Sequence, residues 1–454
     1  MLFEAFAAQR EGRIDDARRL FAQVAADGDV RGAYHLARSL AEDDPGSPDW
    51  AAAARWYRWG AEQGDADCAR ELGTAYELSR GVPRDPAEAM RWFGVASEQG
   101  NAAAMRLIGL MVLRGDGVRQ DPETACRWLE AAAERDDLEA ALALADMYER
   151  GDGVETNPTT AAHWYWVAAG DVVDEFPEAV LAGLRRLVPA LLELAEAGDP
   201  AAQFYLARVK TAGIDEARSL AFMQSAAAQG HPEACYGMAI LYRDGLRGLP
   251  RDLETSFRWC LASASAGWWP AEHDLGLMYA RGYGVEADVE EARTWFLQAA
   301  EQGDTQSMYQ LWLTAEGRPQ AERDEAVRWL RLAAVGGERD AMWYLGDAYL
   351  DGDCVPQDPI QAARWFMASV AAGGSGQQEL AVLASELTPE QLQDADRMAG
   401  GDGSIARDLI ERSARTVSAY RFMRGRGPGL GASAGLGPTP ALTADDWGRG
   451  LPRR

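Results

Sequence analysis

Four histidines, His35, His163, His231 and His273, and five cysteines, Cys68, Cys126, Cys235, Cys260 and Cys354, are the side chains of this sequence best suited to hold a metal or attack a carbonyl. Either task needs several of them at short, defined spacings. None occurs: no HExxH, CxxC or carboxylate cluster accompanies any histidine, so no metal site is expected. Scattered, odd-numbered thiols read as buried cysteines in a reducing compartment rather than a disulfide frame. Gly431, Ser433 and Gly435 match G-x-S-x-G, but no strand precedes them and no helix follows, so a nucleophile elbow cannot form there. The lone lysine, Lys210, has Ala207 three residues before it, which rules out S-x-x-K. The acidic GDGV loops lack the oxygen-ligand ladder of a calcium site and serve as turns. The reading is of a protein that is not an enzyme, with no catalytic residue, cofactor or metal.

The remaining chemistry is recognition by flat, amphipathic rings, which give large contact area at low entropic cost. Such rings gather in the second half of the chain. Tyr236, His273, Tyr309 and Trp343 fall at matching positions of successive segments, while Trp268, Trp269 and Trp312 lie between them. These seven are the candidate partner-binding residues. A structural reading stands beside this one, because large apolar side chains more often plug a core than meet a ligand. A third reading, a small-molecule binder or enzyme at Trp268, Trp269 and Trp312 with His273, needs a deep pocket with converging polar groups.

The elements that position these residues follow from a period. Trp56, Trp92, Trp128 and Trp164, then Trp259, Trp295, Trp329 and Trp365, recur every 36 residues, with one step of 34. A small residue stands three before each Trp, as at Ala53, Ala89, Ala292 and Ala362, and Gly commonly stands eight after it. That spacing predicts an amphipathic helix ended where the chain turns. Nine residues on comes a second small residue, such as Gly73, Gly109, Gly276 or Gly346, often followed three later by Tyr, which predicts a second helix in close approach. One repeat is a helical hairpin that cannot bury its apolar face alone. Loops such as RGDGVRQDP at Arg114 supply Gly for positive φ, Val as a plug, and Asp or Asn before Pro as the next helix cap. Trp312 occupies the slot of Gly276 and Gly346, in a repeat that is two residues short and lacks the GxGV loop. Trp128 and its fellow anchors are expected on the buried face.

From GDA or GNA through LG, Tyr, GxGV and DP to Ala-x-x-Trp, over roughly residues 13 to 400, this sequence closely resembles the Sel1-like repeat family, related to tetratricopeptide arrays. The resemblance implies an all-α fold: an α-solenoid of about ten helical-hairpin repeats in a right-handed superhelix, with the first helix of each hairpin lining a concave face. Its function would be that of a non-catalytic scaffold or adaptor holding a protein or peptide there. An immunity or antagonist protein clamping a toxic effector is the alternative within the binding class.

A net charge of −26 repels phosphate backbones and anionic lipid, so neither nucleic acid nor membrane is an expected partner. It reads first as a solvated surface and second as a face for a basic partner. With no long apolar run and no basic-then-apolar leader, the chain reads as cytoplasmic. The repeat grammar fills residues 1–170 and 190–387, and an irregular helical joint at 171–189 interrupts it. Capping and arginine-bearing helices follow at 388–424, with Arg407, Arg412, Arg415, Arg421 and Arg424. The Gly/Pro-rich tail at 425–454 is predicted to be disordered.

Overall fold

In the computed structural model the described residues are 1–42, 48–170, 177–209, 214–315, 317–401, 405, 406 and 409. Among them lie 23 helices and no strand, and the protein is an all-α solenoid of helical hairpins. Arg407, Arg412, Arg415, Arg421 and Arg424, the tail 425–454 and Lys210 lie outside the described residues. The described chain divides into two compact units, residues 1–219 and residues from 220 on.

Close approach of the two helices in a hairpin rests on glycine. A Cβ placed on Gly276 would stand 2.6 Å from Phe296, and one on Gly73 would stand 2.6 Å from Phe93, so a larger residue would force these helices apart. The ring that meets the glycine belongs to the residue directly after the recurring Trp. Phe93, Leu129, Tyr165, Phe296, Leu330 and Phe366 are fully buried, and Phe21 fills the same role in the first hairpin. Of the anchor tryptophans, Trp92, Trp164 and Trp365 are buried, while Trp56, Trp128, Trp259, Trp295 and Trp329 are only half-buried. The indoles flank the core and the next residue fills it. The reason is angular: one residue turns a helix by about 100°, enough to move a side chain from the centre of a buried stripe to its margin.

The loops hold as their composition requires. Asp85, Asp121, Asn157 and Asp358 accept hydrogen bonds from the first turn of the helix that follows, each opening on Pro. Val355 is buried against Val327 and Ala348 and pins its loop to the hairpin.

In the first unit, hairpins run from Leu2–Arg10 with Ile14–Ala26 through Leu138–Arg150 with Pro158–Ala169. Helix Glu178–Glu196 then breaks the repeat length at 19 residues, with Pro189 inside it. The joint boundary drawn at 189/190 therefore falls within one continuous helix. It docks through a fitted contact: Gly183 leaves room for the Tyr165 ring, and Arg186 grips Glu149 with Nε–Oε1 and Nη2–Oε2 at 2.6 and 2.8 Å.

In the second unit, hairpins run from Pro232–Asp244 with Leu253–Ser265 to Arg339–Asp351 with Pro359–Ala371. Helix Pro389–Met398, held by a Thr388–Gln391 capping box, lays Leu392 and Ala395 over Phe366 and Met367 at the end of the array. Ile405, Ala406 and Leu409 join that cluster, and Asp396 accepts the Ala406 backbone N–H at 3.0 Å.

Candidate interaction surface

Helix Thr305–Leu313 is the shortest first helix among the second unit's hairpins, nine residues against thirteen in its neighbours Trp269–Arg281 and Arg339–Asp351. Its early end leaves backbone carbonyls that the missing turn would have bonded. Arg293, from the preceding hairpin, donates to Leu311 O at 3.4 Å and Thr314 Oγ1 at 3.3 Å, and Arg318 Nε donates to Thr314 O at 3.1 Å. Trp312 stands in this last turn and packs half-buried against the clusters of Leu330 and Leu345 and of Val327, Ala348 and Val355. The indole thus fills the gap that a shortened repeat leaves beside the next loop.

Trp268 and Trp269 sit at the opposite end of their helix. Trp268 is the N-cap residue, with its Nε1 buried and without a hydrogen-bond partner, and Trp269 opens the helix. In repeat register they align with Asp304 and Thr305, seven residues before Trp312, or about 10 Å along a helix axis. Trp268 and Trp269 thus stand at the start of one first helix and Trp312 at the end of the next.

The four ring-bearing column positions divide in two. Tyr236 is 4% exposed and donates its hydroxyl to Asp274 Oδ2 at 2.9 Å, with Arg243 Nη1 3.7 Å from the same oxygen. Burial, with the Asp274 charge beside it, pushes its phenol well above the ordinary value. His273 Nδ1 lies 3.1 Å from Asp304 Oδ2 and 2.8 Å from Ser307 Oγ, across the boundary to the next repeat. Both side chains tie one repeat to the next. Tyr309 and Trp343 remain half-buried and converge on Tyr344, whose ring centroid lies 5.6 Å from Tyr309 and 5.0 Å from Trp343. Burial first, and the neighbouring Tyr344 second, raise the Tyr309 phenol above its ordinary range. The histidines do not gather: His35 stacks on Phe21 at 5.5 Å, and His231 Nδ1 faces Glu233 at 3.2 Å. Among the described residues no three His, Cys, Asp or Glu side chains group as a metal ion would need.

Several residues here were not singled out from sequence: Asp274, Asp304, Ser307, Arg243 and Tyr344. A signal for one of them existed. Column residue and helix cap stand 31 apart in both Arg106–Asp137 and His273–Asp304, and both pairs are in contact. The outward face of helix Gln320–Val335 was also missed: Leu332 is 52% exposed, and Val335 is 73% exposed where Glu62, Glu98, Glu134 and Glu301 stand in other repeats.

This architecture is that of a helical-repeat protein. The Sel1 repeat pattern matches residues 66–101, 102–137, 138–169, 200–231, 232–268, 269–304, 315–337 and 339–373, more than half of the chain, and the chain belongs to the Sel1 repeat family. The matched segments omit 305–314, the shortened helix with Trp312. Sel1 repeat proteins generally mediate protein–protein interaction. An uncharacterized protein of Neisseria meningitidis serogroup B is 33% identical over 166 residues, 37% of this chain and 34% of that protein. The chitin synthase regulator SKT5 of Malassezia restricta is 32% identical over 98 residues, 21% of this chain and 7% of the regulator. The chain therefore spans about a third of the first relative and under a tenth of the second. A solved structure of c5321, a protective antigen of uropathogenic Escherichia coli strains with an SLR fold, is 27% identical, with 90% of each chain covered and a TM-score of 0.42.

Proposed function

We propose that this protein is a non-catalytic scaffold or adaptor that seats a protein or peptide segment on the first-helix column of its second unit. The observation that carries this is the trio Tyr309, Trp343 and Tyr344: on successive first helices the Tyr344 ring meets both of the others, and none of them is fully buried. Partly buried aromatic clusters on rigid helices act as binding anchors, because little side-chain entropy is lost when a partner covers them. Tyr236 and His273 belong to this reading as the residues that fix the repeats presenting the rings, and Trp312 as the plug of the shortened repeat that carries Tyr309. Trp268 and Trp269 stand outside the trio. The net charge of −26 suits a basic partner segment. Four of the five free cysteines, Cys68, Cys126, Cys235 and Cys260, are buried thiols, which suits a reducing compartment such as the cytoplasm.

Affinity capture from the native host by wild type and by a Tyr309→Ala, Trp343→Ala double variant, read by mass spectrometry, tests the proposal. Circular dichroism confirms that the variant folds. The expected result is one or more proteins held by wild type and lost by the folded variant. Identical captured sets would overturn the assignment of the site.

A further inference from the structure

Asp304 performs two tasks with one oxygen. Its Oδ2 accepts the Ser307 backbone N–H at 2.7 Å, capping helix Thr305–Leu313, and the same Oδ2 lies 3.1 Å from His273 Nδ1 of the preceding repeat. The carboxylate is almost fully shielded from water, and the imidazole is 12% exposed. In the first unit the matching position is filled by arginine. Arg106 Nε donates to both oxygens of Asp137, at 2.9 and 3.0 Å, while Asp137 caps its own helix by accepting from Ala140 N at 2.9 Å. The two seams share one design and differ in the cation. A guanidinium stays charged throughout the working pH range, whereas an imidazole does not.

We propose that the seam between the 269–304 and 305–337 repeats is a proton-operated latch, in which the His273 imidazolium clamps the Asp304 cap and its deprotonation loosens helix Thr305–Leu313. The groups facing His273 come from each neighbouring element. On its own helix stand Asp274 and Arg281, whose Nη1 is buried without a hydrogen-bond partner, and Glu272, which accepts from Gln302 Nε2 at 2.7 Å. The next repeat supplies Asp304 and Ser307, and the second helix of the hairpin supplies the Phe296 ring at 5.8 Å. The preceding repeat reaches Asp274 through Tyr236 and Arg243. Ser307 Oγ accepts from Nδ1–H; loss of the Nε2 proton leaves Nδ1–H in place and removes the positive charge that faces Asp304.

Burial opposes the charge on His273. The hydrogen bond and charge of Asp304, and then the charge of Asp274, outweigh burial and raise its pKa above 6.5. Burial likewise opposes the Asp304 carboxylate, and the His273 and Ser307 bonds hold its pKa below 3.8. For the histidine, the added stability is complete below its unfolded value and disappears as pH rises through its folded value. For the aspartate it is complete above its unfolded value and disappears as pH falls through its folded value. The latch is tightest in the mildly acidic window between the two. The inference is independent of the partner reading, since it concerns the opening of one helix.

Hydrogen exchange of the full chain, corrected for intrinsic chemical rates, tests it at about pH 5 and about pH 8. In wild type, exchange at the Thr305–Leu313 amides is expected to be several-fold faster at the higher pH. His273→Gln should exchange fast at both values and His273→Arg slowly at both, as a copy of the Arg106 seam. If His273→Arg fails to fold, wild type and His273→Gln still decide. Equal wild-type exchange at the two values, or a pH dependence that survives in His273→Gln, overturns the proposal.

Discussion

The Arg106–Asp137 seam of the first unit and the His273–Asp304 seam of the second are one solution written with two cations. Each sends a basic side chain from a first helix onto the carboxylate that caps the next first helix, 31 residues along. Arg106 adds a second partner, Glu139 at 2.9 Å, while His273 sits among Asp274, Asp304 and Arg281. The frame beneath is the same in both units: a glycine on one helix and a fully buried side chain on the other. The comparison teaches that the repeat fixes where the contact falls, and the side chain placed there fixes what can perturb it.

The largest effects test the shared frame. Phe93→Ala in the first unit and Phe296→Ala in the second are each expected to cost roughly 3 to 5 kcal/mol, since both empty a fully buried site facing glycine. Chemical denaturation measures this, and a small loss at one site would show that the frame is not common to both units. Trp128→Ala, at a half-buried anchor, should cost less than Phe93→Ala. The caps come next. Asp137→Asn and Asp304→Asn should each cost roughly 1 to 3 kcal/mol by removing the negative charge that faces a shielded cation. Thermal melts are expected to show a pH-independent loss for Asp137→Asn and, for Asp304→Asn, a larger loss in mild acid than in mild base. Tyr236→Phe should follow at about 1 kcal/mol, because Asp274 loses a buried donor. Smallest is Val335→Glu, which restores the residue type of Glu301 on an exposed helix end and should change stability by less than about 0.5 kcal/mol. A larger loss would mean that this face is covered.

Legibility in the sequence followed the range of the interaction. The hairpins, their Asp-Pro and Asn-Pro caps and the Gly–aromatic approach were readable, because each depends on residues a fixed number of steps apart. The deepest core position was misread by one residue: Trp is the conspicuous letter, while Phe296 and Leu129 beside it fill the centre. The joint read as an irregular helical segment because its repeat grammar fails, and its described part opens the helix Glu178–Glu196, which runs on past residue 189. Gly183 and Arg186 fit it to Tyr165 and Glu149, a match no periodicity announces. Among the candidate ring residues, sequence gave the register of Tyr236, His273, Tyr309 and Trp343 but not their burial. That depends on what the neighbouring repeat offers: Asp274 draws Tyr236 inward, and Tyr344 gathers Tyr309 and Trp343 at the surface.

By itself the sequence determined that this protein is a stack of helical hairpins and where the regular repeats are capped and turn, because periodicity, caps and glycines act within one repeat. Only the tertiary structure decided which aromatic rings are enclosed and which carboxylate each basic side chain meets. Those outcomes rest on contacts between repeats, where a shift of one residue or one missing turn redirects a side chain from solvent to core.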